Sequence, residues 1–199
     1  MLSPLHLTLK YNRRKVAELL LRKGTDPKLA NNNGSTPVNI ICQRDDDDNL
    51  AKMFFKINDE KHQTVLIDAR DKWGNSPLHR AVASGHQELT ELLLRRGANL
   101  NLANSGGLTP LHIICKRYPN HRLAQKFFDV NDMKQTVQVN TRDKLGHTPL
   151  QWAVANFLPD VVDLLLDRGV DMSSFVFSTE NHFETIFEYG MILCGSNLN

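Results

Sequence analysis

Three histidines are the first residues of this chain with the chemistry to bind a metal ion. His6, His79 and His112 each stand two residues after the proline of a Ser-Pro or Thr-Pro pair. A zinc site needs side chains that converge on one point, whereas this recurrence sets the histidines side by side along an array. We therefore expect buried imidazoles that bond to loop backbone, and no metal site.

Two cysteines and a run of aspartates are the next candidates. Cys42 and Cys115 each follow two isoleucines in separate copies of a repeat. They should lie farther apart than the about 8–10 Å between packed helices, which is beyond disulfide reach. We expect small core residues rather than reactive thiols. Asp45 to Asp48 lack the glycine and the ligand spacing of a calcium loop, so they are predicted to solvate a loop and cap the next helix.

Catalytic and nucleotide-binding motifs are missing from the sequence. The patterns GxxxxGK[ST], GxGxxG, HExxH and GxSxG do not occur. Helix caps and turns account for the Ser, His and carboxylate residues that do occur. The sequence therefore predicts that the chain is not an enzyme and needs no cofactor.

Composition and charge argue against several other classes of protein. The 199 residues are 41% hydrophobic, which is enough for a core, and the net charge is only +2. A dense basic face is typical of nucleic-acid-binding proteins, so no nucleic acid is expected. No membrane is expected either, because no run of 18 apolar residues occurs. The three cysteines are no disulfide framework, which indicates a reducing intracellular compartment, taken here as the cytoplasm.

The elements that must position these side chains repeat along the chain. Ser/Thr-Pro pairs occur at Ser3-Pro4, Thr36-Pro37, Ser76-Pro77, Thr109-Pro110 and Thr148-Pro149. Successive prolines are 33, 40, 33 and 39 residues apart, so a standard repeat alternates with an extended one. Each pair predicts a helix start, with Ser or Thr as N-cap and Pro in the first helical position. In the standard repeats, a basic residue followed by Gly predicts the end of a second helix.

The second and fourth repeats, which are the extended ones, match each other closely. Ile40-Ile41-Cys42 corresponds to Ile113-Ile114-Cys115, and Phe54-Phe55 corresponds to Phe127-Phe128. A longer exit follows the second helix in both, at 58–69 and 131–141. The additional residues are therefore expected to be structured. The alternation suggests that a standard–extended pair was duplicated.

Residues 71–104 resemble an ankyrin repeat. The SPLH sequence at 76–79, Gly85-His86 and Arg96-Gly97-Ala98-Asn99 stand in the register of that family, and the other units are weaker copies. The resemblance implies an all-α ankyrin-repeat solenoid of stacked antiparallel helix pairs with β-turn-like fingers. Its repeats would cover about residues 1–31, 32–70, 71–103, 104–142 and 143–173, and 174–199 would form a C-terminal capping segment or tail.

Family geometry also implies a function, which is to bind a partner protein on a concave face made of fingers and first helices. The residues expected in contact with the partner are Arg70, Lys72, Trp73, Asn75, Arg80, Ser84, Leu108, Lys116, Arg117, Tyr118, Lys144, Leu145, His147 and Phe157. Trp73 is prominent because Trp is a common interface anchor, although it could instead pack on the long exit of the second repeat. The cations predict a partner with an acidic segment, and scattered solvation charge is the alternative.

Three further expectations concern the context of the chain. It could be a targeting or substrate-recognition segment of a larger multidomain protein, such as a ubiquitin-ligase adaptor or a host-interaction effector. Leu5, Leu7 and Leu9 of the first repeat would have no covering unit, so we expect a monomer, with end-to-end association through this face as the alternative. Asn101 resembles an ankyrin asparagine that is hydroxylated in some family members, but we expect it to bond loop backbone.

Overall fold

The computed structural model describes residues 2–44, 48–116, 121–131 and 136–173, which form ten α-helices and no β-strand. This confirms the all-α prediction. The helices are α1 (Pro4–Lys10), α2 (Arg14–Arg22), α3 (Pro37–Cys42), α4 (Asp48–Glu60), α5 (Pro77–Ala83), α6 (Gln87–Arg95), α7 (Pro110–Lys116), α8 (His121–Asn131), α9 (Pro149–Ala155) and α10 (Pro159–Leu166).

The helices form five consecutive pairs in two layers. The first helix of each pair packs on its own second helix, as α1 does on α2 and α5 on α6. The first helices α1, α3, α5, α7 and α9 then pack on one another in sequence, and the second helices α2, α4, α6, α8 and α10 do the same. This arrangement confirms the predicted solenoid of stacked helix pairs.

The first helices begin where the Ser/Thr-Pro pairs predict. Proline occupies the start of the helix, and the preceding Ser or Thr has extended backbone, as at Ser76 with φ −78° and ψ 168°. The Ser76 hydroxyl accepts the amide proton of His79, and Thr148 does the same for Gln151. These caps satisfy amides that the first helical turn leaves unpaired.

Four hydrogen-bonded turns, called fingers here, lead into the later first helices and occupy residues 31–35, 71–75, 104–108 and 143–147. In the second finger, the amide of Asp71 donates to the carbonyl of Asn75 (3.0 Å), and the amide of Gly74 donates back to Asp71 (2.8 Å). Backbone bonds also join neighbouring fingers: Lys72 to Asn33 (2.8 Å), Ser105 to Trp73 (2.9 Å) and Lys144 to Gly106 (3.0 Å). The fingers therefore form one continuous edge of the array.

The extended repeats build the most aromatic part of the core. Phe54 and Phe55 meet edge to face with ring centroids 5.6 Å apart, and Phe127 and Phe128 do so at 5.9 Å. All four rings are buried. Edge-to-face packing is a favourable aromatic geometry, so each Phe pair fills the layer between second helices.

Several sequence predictions lie outside the described residues. These are the capping segment 174–199 and most of the aspartate run, at 45–47. The first repeat also differs from expectation, because Leu5 and Leu9 are fully buried and only Leu7 is exposed. None of the ten described helices is long and apolar enough to cross a membrane.

Candidate protein-binding surface

The three recurring histidines hold the fingers to the first helices. His79 Nδ1 accepts from the amide of Ser76 at 3.1 Å, so Nε2 carries the proton and donates to the carbonyl of Leu108 at 3.0 Å. His6 Nε2 makes the same bond to Ser35, and His112 Nε2 makes it to His147 (3.0 and 3.2 Å). Burial lowers the pKa of His79 to about 4. The prediction of buried histidines bonded to loop backbone is confirmed.

Amide side chains do the same work in the other two repeats. Asn39 Oδ1 accepts from the amide of Thr36 at 3.0 Å, and Asn39 Nδ2 donates to the carbonyl of Ala69 at 3.1 Å. Gln151 Oε1 accepts from the amide of Thr148 at 2.8 Å. The residue at this helix position therefore needs a hydrogen-bond acceptor for the amide of the N-cap residue. It does not need to be a histidine.

The other candidates for chemistry are also structural. Cys42 and Cys115 are free thiols and fully buried, and burial raises their pKa well above the ordinary value. The prediction of small core residues is confirmed. Asn101 donates to the carbonyl of Thr136 (2.8 Å) and accepts from the amide of Gln138 (3.0 Å), so it does bond the backbone of the next long exit.

The first residue of each finger shapes that finger with its side chain. Oδ1 of Asp71 accepts from the amides of Trp73 and Asn75, each at 2.9 Å. Asn31, Asn104 and Asp143 bond their own fingers in the same pattern. The Asp71 carboxylate also has a second oxygen, which pairs with the Arg80 guanidinium. Sequence reasoning did not identify these Asp and Asn residues, although one of them begins every finger.

Trp73 lies at the tip of the second finger, with 48% of its surface exposed. Lys72 Nζ lies 4.3 Å from the centroid of the indole ring, and the Arg80 guanidinium carbon lies 5.1 Å from it. Cations at these distances are attracted to the ring face. The tip therefore presents a flat aromatic surface flanked by positive charge.

An open cleft of about 420 Å³ lies beside Trp73, between the first two fingers and the helices behind them. Its walls include Lys10 from α1 and Ile40 from α3, and Gln43 and Arg44 from the end of α3. The Arg44 guanidinium donates to the carbonyl oxygens of Leu9 and Lys10. The cleft thus combines an exposed indole and basic side chains with the polar residues Asn31, Asn33 and Ser35 of the first finger.

The fingers and first helices together, called the finger face here, carry exposed charge of one sign. Its exposed charges are those of Lys10, Lys72 and Lys144, and Arg70 and Arg142 are exposed directly before the second and fourth fingers. The only carboxylates among the described fingers and first helices are Asp71 and Asp143, and both are buried. Within the described chain, the finger face is therefore cationic.

The layer of second helices carries both signs of charge. Lys52 of α4 pairs with Glu88 of α6 at 2.9 Å, and Lys126 of α8 pairs with Glu91 of α6 at 3.1 Å. Exposed pairs of this kind contribute at most about 1 kcal/mol each. The cationic excess is thus a property of the finger face and not of the whole molecule.

All but one of the predicted contact residues fall into three groups, and the exception is the buried His147. Arg70, Lys72, Trp73, Lys144, Leu145 and Phe157 are exposed on fingers or helix ends. Asn75, Arg80, Ser84, Leu108 and Lys116 are half-buried and have structural contacts. Arg117 and Tyr118 lie outside the described residues.

His147 and Arg80 differ from the exposed positions expected for them. His147 is buried edge to face against Trp152, with ring centroids 5.2 Å apart. Arg80 keeps only 25% of its side chain exposed, because it pairs with the buried carboxylate of Asp71. Whether any residue of the finger face contacts a partner stays a prediction.

Comparison with known proteins agrees with this architecture. The family model for ankyrin repeats (3 copies) matches residues 5–104 and 97–175. The chain belongs to the ankyrin-repeat family. Ankyrin repeats generally act as protein–protein interaction modules without catalytic residues, so the coarse functional prediction holds.

The chain spans less than half the length of the similar proteins that it matches. It is 27% identical over 175 residues to the transient receptor potential cation channel subfamily A member 1 of Drosophila melanogaster. This match covers 86% of this chain and 14% of the channel. It is 32% identical over 101 residues to NF-kappa-B inhibitor alpha of Sus scrofa, covering 50% of this chain and 31% of the inhibitor. An ankyrin repeat protein of Rickettsia bellii is 27% identical over 156 residues, covering 76% of this chain and 44% of that protein.

Proposed function

We propose that the finger face binds an extended, acidic segment of another protein, with Trp73 as the anchoring side chain. The proposal rests on the sign of the exposed charge. Lys72 and Lys144 stand at equivalent finger positions, and no exposed carboxylate lies among the described fingers and first helices. A cationic face attracts an acidic segment and disfavours a basic one.

Trp73 is the reason why we place the binding site at the second finger, residues 71–75. A half-exposed indole loses solvent on binding, and Trp is over-represented among residues that dominate interface energetics. The cleft beside it has room for an apolar side chain from the segment. The preferred ligand therefore combines carboxylates with an aromatic or aliphatic residue.

Binding of two labelled peptides to the intact chain tests the proposal. One peptide is rich in Glu and contains Phe, and the other has Gln in place of every Glu. We expect the Glu peptide to bind and the Gln peptide to bind at least about tenfold more weakly, because the cationic field acts only on the first. Fluorescence anisotropy at low and at physiological salt measures both affinities.

Charge-reversed variants locate the site. Lys72→Glu should weaken binding of the Glu peptide by at least about tenfold. Lys61→Glu, an exposed lysine after α4, is the matched control and should leave binding unchanged. Equal affinity of the two peptides, or equal loss in both variants, would remove the finger face from consideration.

A second candidate function rests on the length of the relatives. Because the chain matches only 14% of the Drosophila channel and 44% of the Rickettsia protein, the same face could serve as the recognition segment of a larger protein. Expression of the complete reading frame and identification of any additional domain decides between the two. Nucleic-acid binding is the third candidate. We expect no shift in a gel-retardation assay with duplex DNA, and that result would remove this candidate.

A further inference from the structure

The four described fingers are of two kinds, and the two kinds alternate along the edge of the array. Taken with the residue before it, the second finger reads Arg-Asp-Lys-Trp-Gly at 70–74, and the fourth reads Arg-Asp-Lys-Leu-Gly at 142–146. The first and third read Ala-Asn-Asn-Asn-Gly at 30–34 and Ala-Asn-Ser-Gly-Gly at 103–107. Two charged fingers with an apolar tip, called anchor fingers here, are thus separated by a neutral finger.

The turn itself requires neither the charge nor the apolar tip of the anchor fingers. Asn104 Oδ1 accepts two amides of the neutral third finger, at 2.9 and 3.1 Å, as Asp71 Oδ1 accepts two amides of the second finger, each at 2.9 Å. The backbone bond that closes the finger is 2.9 Å long in the third and 3.0 Å in the second. Because both kinds close with the same bonds, the folding of the finger does not explain the lysine and the apolar tip.

The apolar tips are exposed because of their position within the finger. The third residue of every described finger is exposed, whether it is Asn33, Trp73, Gly106 or Leu145. The carbonyls of the first three accept an amide of the following finger, at 2.8, 2.9 and 3.0 Å. A neighbouring finger therefore bonds the backbone of a tip without covering the tip. Trp73 and Leu145, which are 48% and 57% exposed, both face solvent for this reason.

Each anchor finger also holds an arginine next to its turn. Arg70 Nε donates to the carbonyl of Gly74 at 3.2 Å, and the Arg142 guanidinium donates to the carbonyl of Gly146 at 2.8 Å. Both arginines remain exposed. With the exposed lysine of the same finger, two positive charges accompany each apolar tip, whereas residues 103–107 between them carry no charge.

The distance between the two tips sets the spacing of residues in a ligand that contacts both. Helices of neighbouring repeats pack about 8–10 Å apart, so tips that are two repeats apart lie about 16–20 Å apart. An extended chain advances about 3.3 Å per residue, and its successive side chains point to opposite sides. Two side chains that point to the same side and span this distance are therefore about six residues apart.

We propose that the preferred ligand of the finger face is bipartite, with two apolar residues about six positions apart, each beside carboxylates, that contact Trp73 and Leu145. This inference rests on the proposed function and adds the fourth finger to it. A ligand with a single apolar residue contacts the second finger alone, because the cleft lies beside Trp73. The residues between the two anchors of a bipartite ligand pass the neutral third finger, which favours no charge.

A set of Glu-rich peptides of equal length tests the spacing by fluorescence anisotropy with the full chain. Each peptide has one Phe, and a second Phe follows five, six, seven or ten positions later or is replaced by Ser. We expect spacing six to bind at least about tenfold more tightly than the single-Phe peptide, because the second contact is then intramolecular. Spacings five and seven point the second ring away from Leu145, and spacing ten reaches past it, so these peptides should bind like the single-Phe peptide.

Variants of the fourth finger locate the second contact. Leu145→Ala should remove the gain at spacing six and leave the affinity for the single-Phe peptide unchanged. Lys144→Glu should also remove the gain, because it repels the carboxylates beside the second Phe. Leu19→Ala, which removes a leucine of α2 with the same 57% exposure as Leu145, is the matched control and should preserve the gain.

Two kinds of negative result are distinguishable. If the single-Phe peptide does not bind, or binds no better than its Gln counterpart, the proposed function and the bipartite ligand are both excluded. If it binds, the bipartite ligand alone is excluded by a second Phe that adds no affinity, that adds most at a spacing other than six, or that keeps its gain in Leu145→Ala.

Discussion

The fingers of the third and fifth repeats share one sequence pattern but differ in where a tryptophan lies. Both fingers read Asp-Lys, one apolar residue, then Gly, at 71–74 and 143–146. In the third repeat the second oxygen of Asp71 pairs with Arg80, and Trp73 lies exposed at the tip. In the fifth repeat the tip is Leu145, and a tryptophan lies under the finger instead.

That buried tryptophan is Trp152, which occupies the position of Arg80. Its indole Nε1 donates to the second oxygen of Asp143 at 2.9 Å, and its ring packs on His147 and lies 4.1 Å from Lys116 Nζ. A largely covered guanidinium in one repeat is thus replaced by a buried indole in the other. The finger backbone therefore needs only a donor for the Asp carboxylate, which leaves the tip free to vary.

The largest expected difference between the repeats comes from removing each tryptophan. Trp152→Ala should lower the free energy of unfolding by about 3–5 kcal/mol, the cost of emptying a buried aromatic site. Chemical denaturation measures the change. Trp152→Phe should recover part of the loss, because it restores volume but not the N–H donor to Asp143. A cost under about 1 kcal/mol for the alanine variant would contradict the structural role given to Trp152.

Acid should weaken the third repeat through a group that the fifth repeat lacks. Burial holds the pKa of His79 at about 4, below the ordinary 6.5. Between these values the unfolded chain binds the proton more tightly, so stability is complete above pH 6.5 and falls toward pH 4. The loss should approach about 3 kcal/mol, given about 1.4 kcal/mol for each pH unit.

His79→Gln isolates this effect, because Gln151 fills the same position in the fifth repeat. Denaturation measured at a series of pH values should show a shallower decline for the variant than for the unaltered chain. His6 and His112, whose pKa values burial also lowers, contribute to the decline that remains. Identical pH profiles would mean that His79 does not titrate as described.

Replacing the finger glycines should separate packing from backbone strain. Gly74 and Gly146 both have positive φ, +75° and +84°. A Cβ on Gly74 would lie 2.7 Å from the backbone nitrogen of Ser105 in the next finger, whereas a Cβ on Gly146 would have no atom within 4 Å. Gly146→Ala should therefore cost about 1–2 kcal/mol for the left-handed backbone alone.

Gly74→Ala should exceed that cost by about 1–3 kcal/mol, because an overpacked contact is added to the same strain. Thermal melts of the two variants compare them directly. If both melt at the same temperature, the contact between the second and third fingers contributes nothing to stability.

The smallest stability effect is expected at the tips. Trp73→Ala and Leu145→Ala should each change the free energy of unfolding by no more than about 1 kcal/mol, as is usual for exposed positions. Their binding effects should differ, because only Trp73 lies beside the cleft and between two cations. Affinity for the Glu-rich peptide should fall at least about tenfold in Trp73→Ala and stay unchanged in Leu145→Ala.

The helices and their order were accessible from the sequence because their signals are local. Ser76 and Pro77 fix a helix start through their own backbone preferences, and the spacing of such pairs fixes the order of repeats. The role of His79 was predictable because its position recurs in the repeats, although the carbonyl that it binds, that of Leu108, lies 29 residues away. The matching Phe pairs at 54–55 and 127–128 likewise indicated that the long exits were structured.

The positive charge of the finger face was predicted, but the pairing and burial of its side chains were not, because they depend on distances across the fold. Arg80 and Asp71 are nine residues apart, and only the folded finger brings the guanidinium to the carboxylate. His147 was expected at an exposed tip, but the ring of Trp152 covers it. In both cases the side chain at one position of the first helix decides the exposure of its neighbours.

Amide hydrogen exchange of the full chain, with and without the Glu-rich peptide, shows which finger the peptide contacts. We predict slower exchange at 72–75, and at Gln43 and Arg44 beside the cleft, with unchanged exchange at 144–147 and along the second helices. Protection confined to the second helices, or equal protection of the fingers at 71–75 and 143–147, would contradict the assignment of binding to the Trp73 finger.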